Sequence, residues 1–107
     1  MTIYLLEFTE PLGNERHQAR FYVGHTRRRL ADRLAEHASG QGAAITRAAA
    51  ERVWGIEPWR VVWAVKGDRG DEWLIKRYKR AERFAGMTPR QVRTWLAQAR
   101  ARRGWLP

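Results

Sequence analysis

Glu72, Lys76, Lys79 and Arg83 are spaced i, i+4, i+7 and i+11, which on a helix makes one stripe headed by a single carboxylate. A carboxylate can hold a divalent cation while neighbouring cations hold phosphate oxygens. The plainer reading is a Glu-to-Lys pair on a solvated face, worth about 0.3–0.5 kcal/mol. A second group, Leu30, Arg33, Leu34 and His37, falls at i, i+3, i+4 and i+7. Two apolar side chains thus bring an Arg and a His to the core-facing side of one helix. A buried guanidinium needs an anion, either a ligand or a nearby acid with which Arg33 pairs while its stem snorkels over the core edge. For His37 alone, a satisfied structural histidine is the plainer reading. The third group is a pair of tyrosines, Tyr4 and Tyr22, in two strand-like segments, with Gly24 permitting close backbone approach. Taken alone, the tyrosines read as sheet packing.

These groups need elements to position them. Thr2 to Phe8 and Ala19 to Gly24 have strand composition and predict an antiparallel pair, joined through the turn residues Glu10-Pro11-Leu12-Gly13-Asn14. Thr26 is placed to cap a helix running to about Ala38, ended by Ser39-Gly40. Ala43 to Arg52 predicts a short helix, Trp59 to Lys66 a third strand, and Asp71 to about Phe84 a further helix. On that helix Trp73, Leu74, Tyr78 and Ala81 take the side opposite the cation stripe. Thr88-Pro89 opens a last helix to about Arg103, with Val92, Trp95, Leu96 and Ala99 as its docking stripe. The order ββααβαα predicts an α+β domain, a small antiparallel sheet flanked by helices.

Composition narrows the partner. The 107 residues carry a net charge of +10. Through Ile75 the basic and acidic residues nearly balance, 11 against 10, whereas from Lys76 onward 10 basic residues face only Glu82. Such asymmetry points to a polyanion. No apolar run approaches the roughly 20 residues of a membrane span, and the basic helices lack a wide apolar face free to insert. With no cysteine, disulfides, thiolate zinc sites and a thiol nucleophile are excluded. A cytoplasmic protein with no membrane partner is expected.

In order along the chain, Ile3-Tyr4, Tyr22-Val23-Gly24, Arg33 with His37, Gly40-x-Gly42-Ala43 and Glu72-x-x-Ile75-Lys76 resemble the GIY-YIG endonuclease family. The resemblance runs from about residue 2 to 80 and is similar in detail to small stand-alone members, bacterial or phage-encoded. It implies a three-stranded antiparallel sheet flanked by helices and hydrolysis of a DNA phosphodiester with a divalent metal, Mg²⁺ or Mn²⁺. Glu72 is the implied metal ligand and Arg33 the cation on the scissile phosphate. Tyr4 and Tyr22 position or deprotonate the attacking water, with Tyr4 favoured as base and His37 in support. Arg33 and the metal are expected to lower the Tyr4 pKa. His25, directly after the second motif, is a further group that can approach the site. Thr2 departs from the glycine usual in the first motif, and the Asn that often follows the metal-binding helix has no counterpart here.

The chain divides into a GIY-YIG-like nuclease core, residues 1–85, and a basic C-terminal helical extension, residues 86–107, packed on it. Substrate grip is assigned to Arg27, Arg28, Lys76, Lys79, Arg80, Arg83, Arg90, Arg93 and Arg100, all suited to phosphate contact. No base-reading motif is present, so backbone and shape recognition of branched, nicked or flapped DNA is expected, one strand cut per site. No small-molecule cofactor is expected, and the oligomeric state stays open. The alternative function is a non-catalytic basic nucleic-acid-binding or architectural module.

Overall fold

The computed structural model describes residues 1–13, 18–77 and 81–103. Strands β1 (Thr2–Gly13), β2 (Gln18–Thr26) and β3 (Trp59–Lys66) form an antiparallel sheet in the order β2-β1-β3. The described helices are α1 (Leu30–Ala38), α2 (Ala44–Glu51), α3 (Arg69–Arg77), α4 (Ala81–Ala85) and α5 (Pro89–Arg103).

The central strand explains the layering. Side chains alternate across a strand, and both faces of β1 are apolar. Ile3 and Leu5 point to a cluster completed by Val23, Trp63, Val65, Leu74, Ile75, Phe84, Val92, Leu96 and Ala99, so α3, α4 and α5 cover that face. Tyr4, Leu6 and Phe8 point the other way, towards Leu30, Leu34, Ile45 and Ala49 of α1 and α2. The tyrosines therefore lie in a different layer from α5. The docking stripe expected on α5 is observed: Val92, Leu96 and Ala99 are buried, and Trp95 packs edge-on against Phe84 at 4.7 Å.

Several boundaries differ from the sequence expectation. The Thr26 hydroxyl accepts the backbone N–H of Arg28 at 3.0 Å and so closes a local turn instead of capping a helix. The α1 helix starts only at Leu30, and Arg27, Arg28 and Arg29 occupy the β2–α1 turn. The expected turn at Glu10 to Gly13 is strand: β1 continues to Gly13, with an irregular register between Glu7 and Leu12. The helix expected from Asp71 to Phe84 is seen on both sides of residues 78–80, as α3 and α4, and those three residues lie outside the described ones. Trp73 is exposed, with the Arg77 guanidinium over its ring, while Asp71, Leu74 and Ile75 are the buried residues of α3.

Two reciprocal caps fix helix starts that the site depends on. Thr88 and Gln91 exchange backbone-to-side-chain hydrogen bonds at the head of α5. Asp68 and Asp71 do the same at the head of α3. Arg100 then donates to both carboxylates, tying α5 to the start of α3.

Candidate active site

Tyr4 is fully buried on β1, yet its hydroxyl has a partner: it lies 2.7 Å from His37 Nε2. His37, also fully buried, comes from the last turn of α1, where its spacing from Leu30 and Leu34 directs it inward. Its Nδ1 lies 2.8 Å from the Thr46 hydroxyl on α2. Tyr22 and Trp59 stack edge-on against the same imidazole, with ring centroids at 5.5 and 6.1 Å. Three strands and two helices thus converge on one histidine.

Two glycines make the convergence possible. Gly24 pairs with Tyr4 across β1 and β2, and a Cβ there would lie 2.5 Å from the Tyr4 ring and hydroxyl. A Cβ at Gly42 would run into His37 Nδ1.

Burial decides the protonation states. It raises the Tyr4 pKa from 10.0 to about 12, although Arg33 pulls the other way. The expected acidification by Arg33 is therefore present in direction but outweighed by desolvation. Burial, seconded by the Arg33 charge, lowers the His37 pKa from 6.5 to about 4. At neutral pH the pair is a phenol and a neutral imidazole.

Arg33 lies beside this pair, and Glu36 orients it: its Nη1 donates to Glu36 Oε2 at 2.9 Å. Arg28 pairs with the other oxygen of the same carboxylate. Glu36 is thus the nearby acid that satisfies Arg33, a partner one turn along the same helix. Glu72 lies in the first turn of α3, its side chain only 13% exposed. One carboxylate oxygen faces His25 Nδ1 and the other Lys76 Nζ, the latter at 2.6 Å. Lys76 Nζ in turn lies 5.8 Å from the Tyr22 ring centroid, which links Glu72 to the tyrosine cluster.

His25, Arg28 and Arg33 reach an open cleft beside this cluster. It is lined by Met1, His25, Thr26, Arg27, Arg28, Arg33 and Arg69, with no acid among them. Tyr4, Tyr22, Arg33, His37 and Glu72 are thus gathered around one end of the β1–β2 pair.

The basic residues sort differently from their order in sequence. Arg27 and Arg28 line the cleft. Lys76 is held by Glu72 instead of projecting freely. Arg100, expected as a phosphate contact, has its guanidinium bound by Asp68 and Asp71. Arg83 is exposed on α4, and Arg90 and Arg93 border a shallow depression with Pro89, Thr94 and Ala97. Those three belong to the layer opposite the tyrosines. Lys79 and Arg80 lie outside the described residues, as do Asn14, Tyr78 and Trp105.

Sequence reading missed three contributors. Glu36 was legible as an i+3 neighbour of Arg33, and Thr46 lacked any local signal. Arg69 reaches the cleft because the Asp68–Asp71 cap fixes the start of α3, and spacing alone does not reveal that.

No curated protein and no solved structure matches the chain significantly. The family model of the GIY-YIG catalytic domain matches residues 1–86. Among the described residues no helix is long and apolar enough to cross a membrane. The three-stranded antiparallel sheet with flanking helices agrees with that match, and the chain belongs to the GIY-YIG family, whose catalytic domain is a nuclease.

Proposed function

We propose that this nuclease is a DNA endonuclease dependent on Mg²⁺ or Mn²⁺, cutting one strand per active site on branched, nicked or flapped substrates. The observation that carries the reading is the hydrogen bond between a buried tyrosine and a buried histidine, set beside a cleft of arginines and an enclosed carboxylate.

The residues present fit a loosely held ion. Both oxygens of Glu72 are paired, one with His25 and one with Lys76, so an ion here would take the place that a Lys76 ammonium now fills. Glu72 would hold the metal, with His25 as a second donor. Among the described residues no group of three or more His, Cys, Asp or Glu could hold a metal, so an ion on Glu72 would take its other ligands from water and phosphate. A bound divalent ion acidifies water and offsets charge developing on the phosphate.

The chain's own residues supply the rest. Arg33, steered by Glu36, contacts the scissile phosphate, and Arg27, Arg28 and Arg69 hold the phosphates beside it. Tyr4 accepts a proton from the attacking water while passing its own to His37, and Tyr22 orients water or phosphate. This concerted relay avoids a free phenolate, which burial makes unfavourable. Phosphate in the cleft also offsets the Arg33 charge and so makes His37 a better acceptor.

Residues 1–85 carry this chemistry. The described part of the 86–107 extension, to Arg103, is fastened through Val92, Leu96 and Arg100, offering Arg90 and Arg93 to DNA beyond the site. The test is incubation with supercoiled plasmid and a panel of branched and linear duplexes, with Mg²⁺, Mn²⁺ or EDTA. Metal-dependent nicking, strongest on branched substrates, supports the reading. Salt-sensitive binding with no cleavage under any metal supports a non-catalytic module instead.

A further inference from the structure

We propose that Thr46 is a positioning residue that fixes His37 as the Nδ1–H tautomer and so leaves Nε2 bare to take the Tyr4 proton. The inference rests on the hydrolytic reading above for its consequence, though not for its geometry.

The Thr46 hydroxyl lies 2.8 Å from the Ala43 carbonyl oxygen and 2.8 Å from His37 Nδ1. A hydroxyl carries one proton. The Ala43 carbonyl can only accept, so that proton points to it. The hydroxyl lone pair then faces Nδ1, which must carry the hydrogen. The opposite arrangement would set two lone pairs against each other at the carbonyl. With Nδ1 protonated, neutral His37 has its lone pair on Nε2, and the Tyr4 hydroxyl donates into it. Thr46 and His37 are both fully buried, and Gly42 closes against the Nδ1 edge. Among the described residues no other side chain hydrogen-bonds to Nδ1.

The proton count closes. Water oxygen bonds to phosphorus as one P–O ester bond breaks. The water proton moves to the Tyr4 oxygen, and the Tyr4 proton moves to Nε2, giving an imidazolium that keeps its Nδ1–H on Thr46. The departing oxygen takes a proton from solvent, and His37 later returns its own. The other tautomer would present an N–H to Tyr4 and block the transfer.

Ring ¹⁵N chemical shifts of the full chain report the tautomer directly. Wild-type protein near neutral pH is expected to show His37 with Nδ1 protonated and Nε2 bare. Thr46→Val is expected to shift that population and slow cleavage about tenfold or more, part of the roughly 10²–10⁴ that a positioned acid–base group supplies. Thr46→Ser, which keeps the hydroxyl, is expected to restore both. A wild-type His37 protonated on Nε2 would overturn the proposal, as would Thr46→Val with an unchanged tautomer. If Thr46→Val does not fold, the wild-type shifts alone decide. A correct tautomer in a protein that cleaves nothing leaves the positioning role standing and removes the hydrolytic reading.

Discussion

Tyr4 and His37 lie 33 residues apart and meet in a buried hydrogen bond of 2.7 Å, the phenol on the central strand and the imidazole in the last turn of α1. Each is held in the neutral form that burial favours. A neutral acceptor beside a neutral donor is a proton path that needs no charged resting state, and it can be tested at either end.

Replacing His37 with Gln removes the acceptor while keeping a polar side chain. Cleavage is expected to fall about 10²-fold or more, with DNA affinity changed little. Rates under single-turnover conditions check this, and undiminished cleavage would remove His37 from the reaction.

The pKa displacements also predict how stability varies with pH. His37 falls from 6.5 unfolded to about 4 folded, so between those values the unfolded chain binds more protons and stability declines as pH falls. Its full effect is about 3 kcal/mol. Tyr4 rises from 10.0 to about 12, so its contribution is complete below pH 10 and is lost as pH climbs through that upper window. The charged and titratable groups around His37 are Arg33, Tyr4 and Tyr22. Denaturant melts of wild type and His37→Gln from pH 4 to 8 check the acid limb. The variant is expected to lose much less stability on acidification, and parallel curves would contradict the assignment.

Gly24→Ala introduces a Cβ into the Tyr4 hydroxyl. The expected cost is about 1–3 kcal/mol of stability, as for other overpacked cores, together with a cleavage loss larger than that unfolding explains. Thermal denaturation and rates on the folded fraction separate the two effects. Wild-type behaviour in both would show that Tyr4 has room to move.

Arg100→Ala leaves Asp71, a buried carboxylate, without its guanidinium. A destabilisation of about 2 kcal/mol is expected, with the salt dependence of DNA binding nearly unchanged. A shallower salt slope would return Arg100 to the phosphate contacts.

Much of this was legible in the residues themselves. Leu30, Leu34 and His37 on one helical face foretold a buried histidine, and Val92, Leu96 and Ala99 foretold how α5 docks. Trp59 to Lys66 is the strand its composition indicated. What escaped depended on partners distant in sequence. Thr26 looked like a helix cap, but its hydroxyl was taken by the N–H of Arg28. Arg100 looked like one more cation in a basic segment until Asp68 and Asp71 met it, 32 and 29 residues away. The charge asymmetry pointed to a polyanion without showing which cations stand at the cleft. Lys76 pairs with Glu72 and Arg100 with Asp68 and Asp71, while the opening is lined by Arg27, Arg69 and the Glu36-bound Arg28 and Arg33, all from the near-neutral part.

Metal-assisted hydrolysis organised around Glu72 is tested by the nicking of supercoiled plasmid with purified wild-type and Glu72→Ala protein. With Mg²⁺ or Mn²⁺, wild-type protein is expected to nick and to stop on adding EDTA, while Glu72→Ala binds the plasmid and leaves it intact. Nicking by Glu72→Ala at the wild-type rate, with the same metal dependence, would contradict the account.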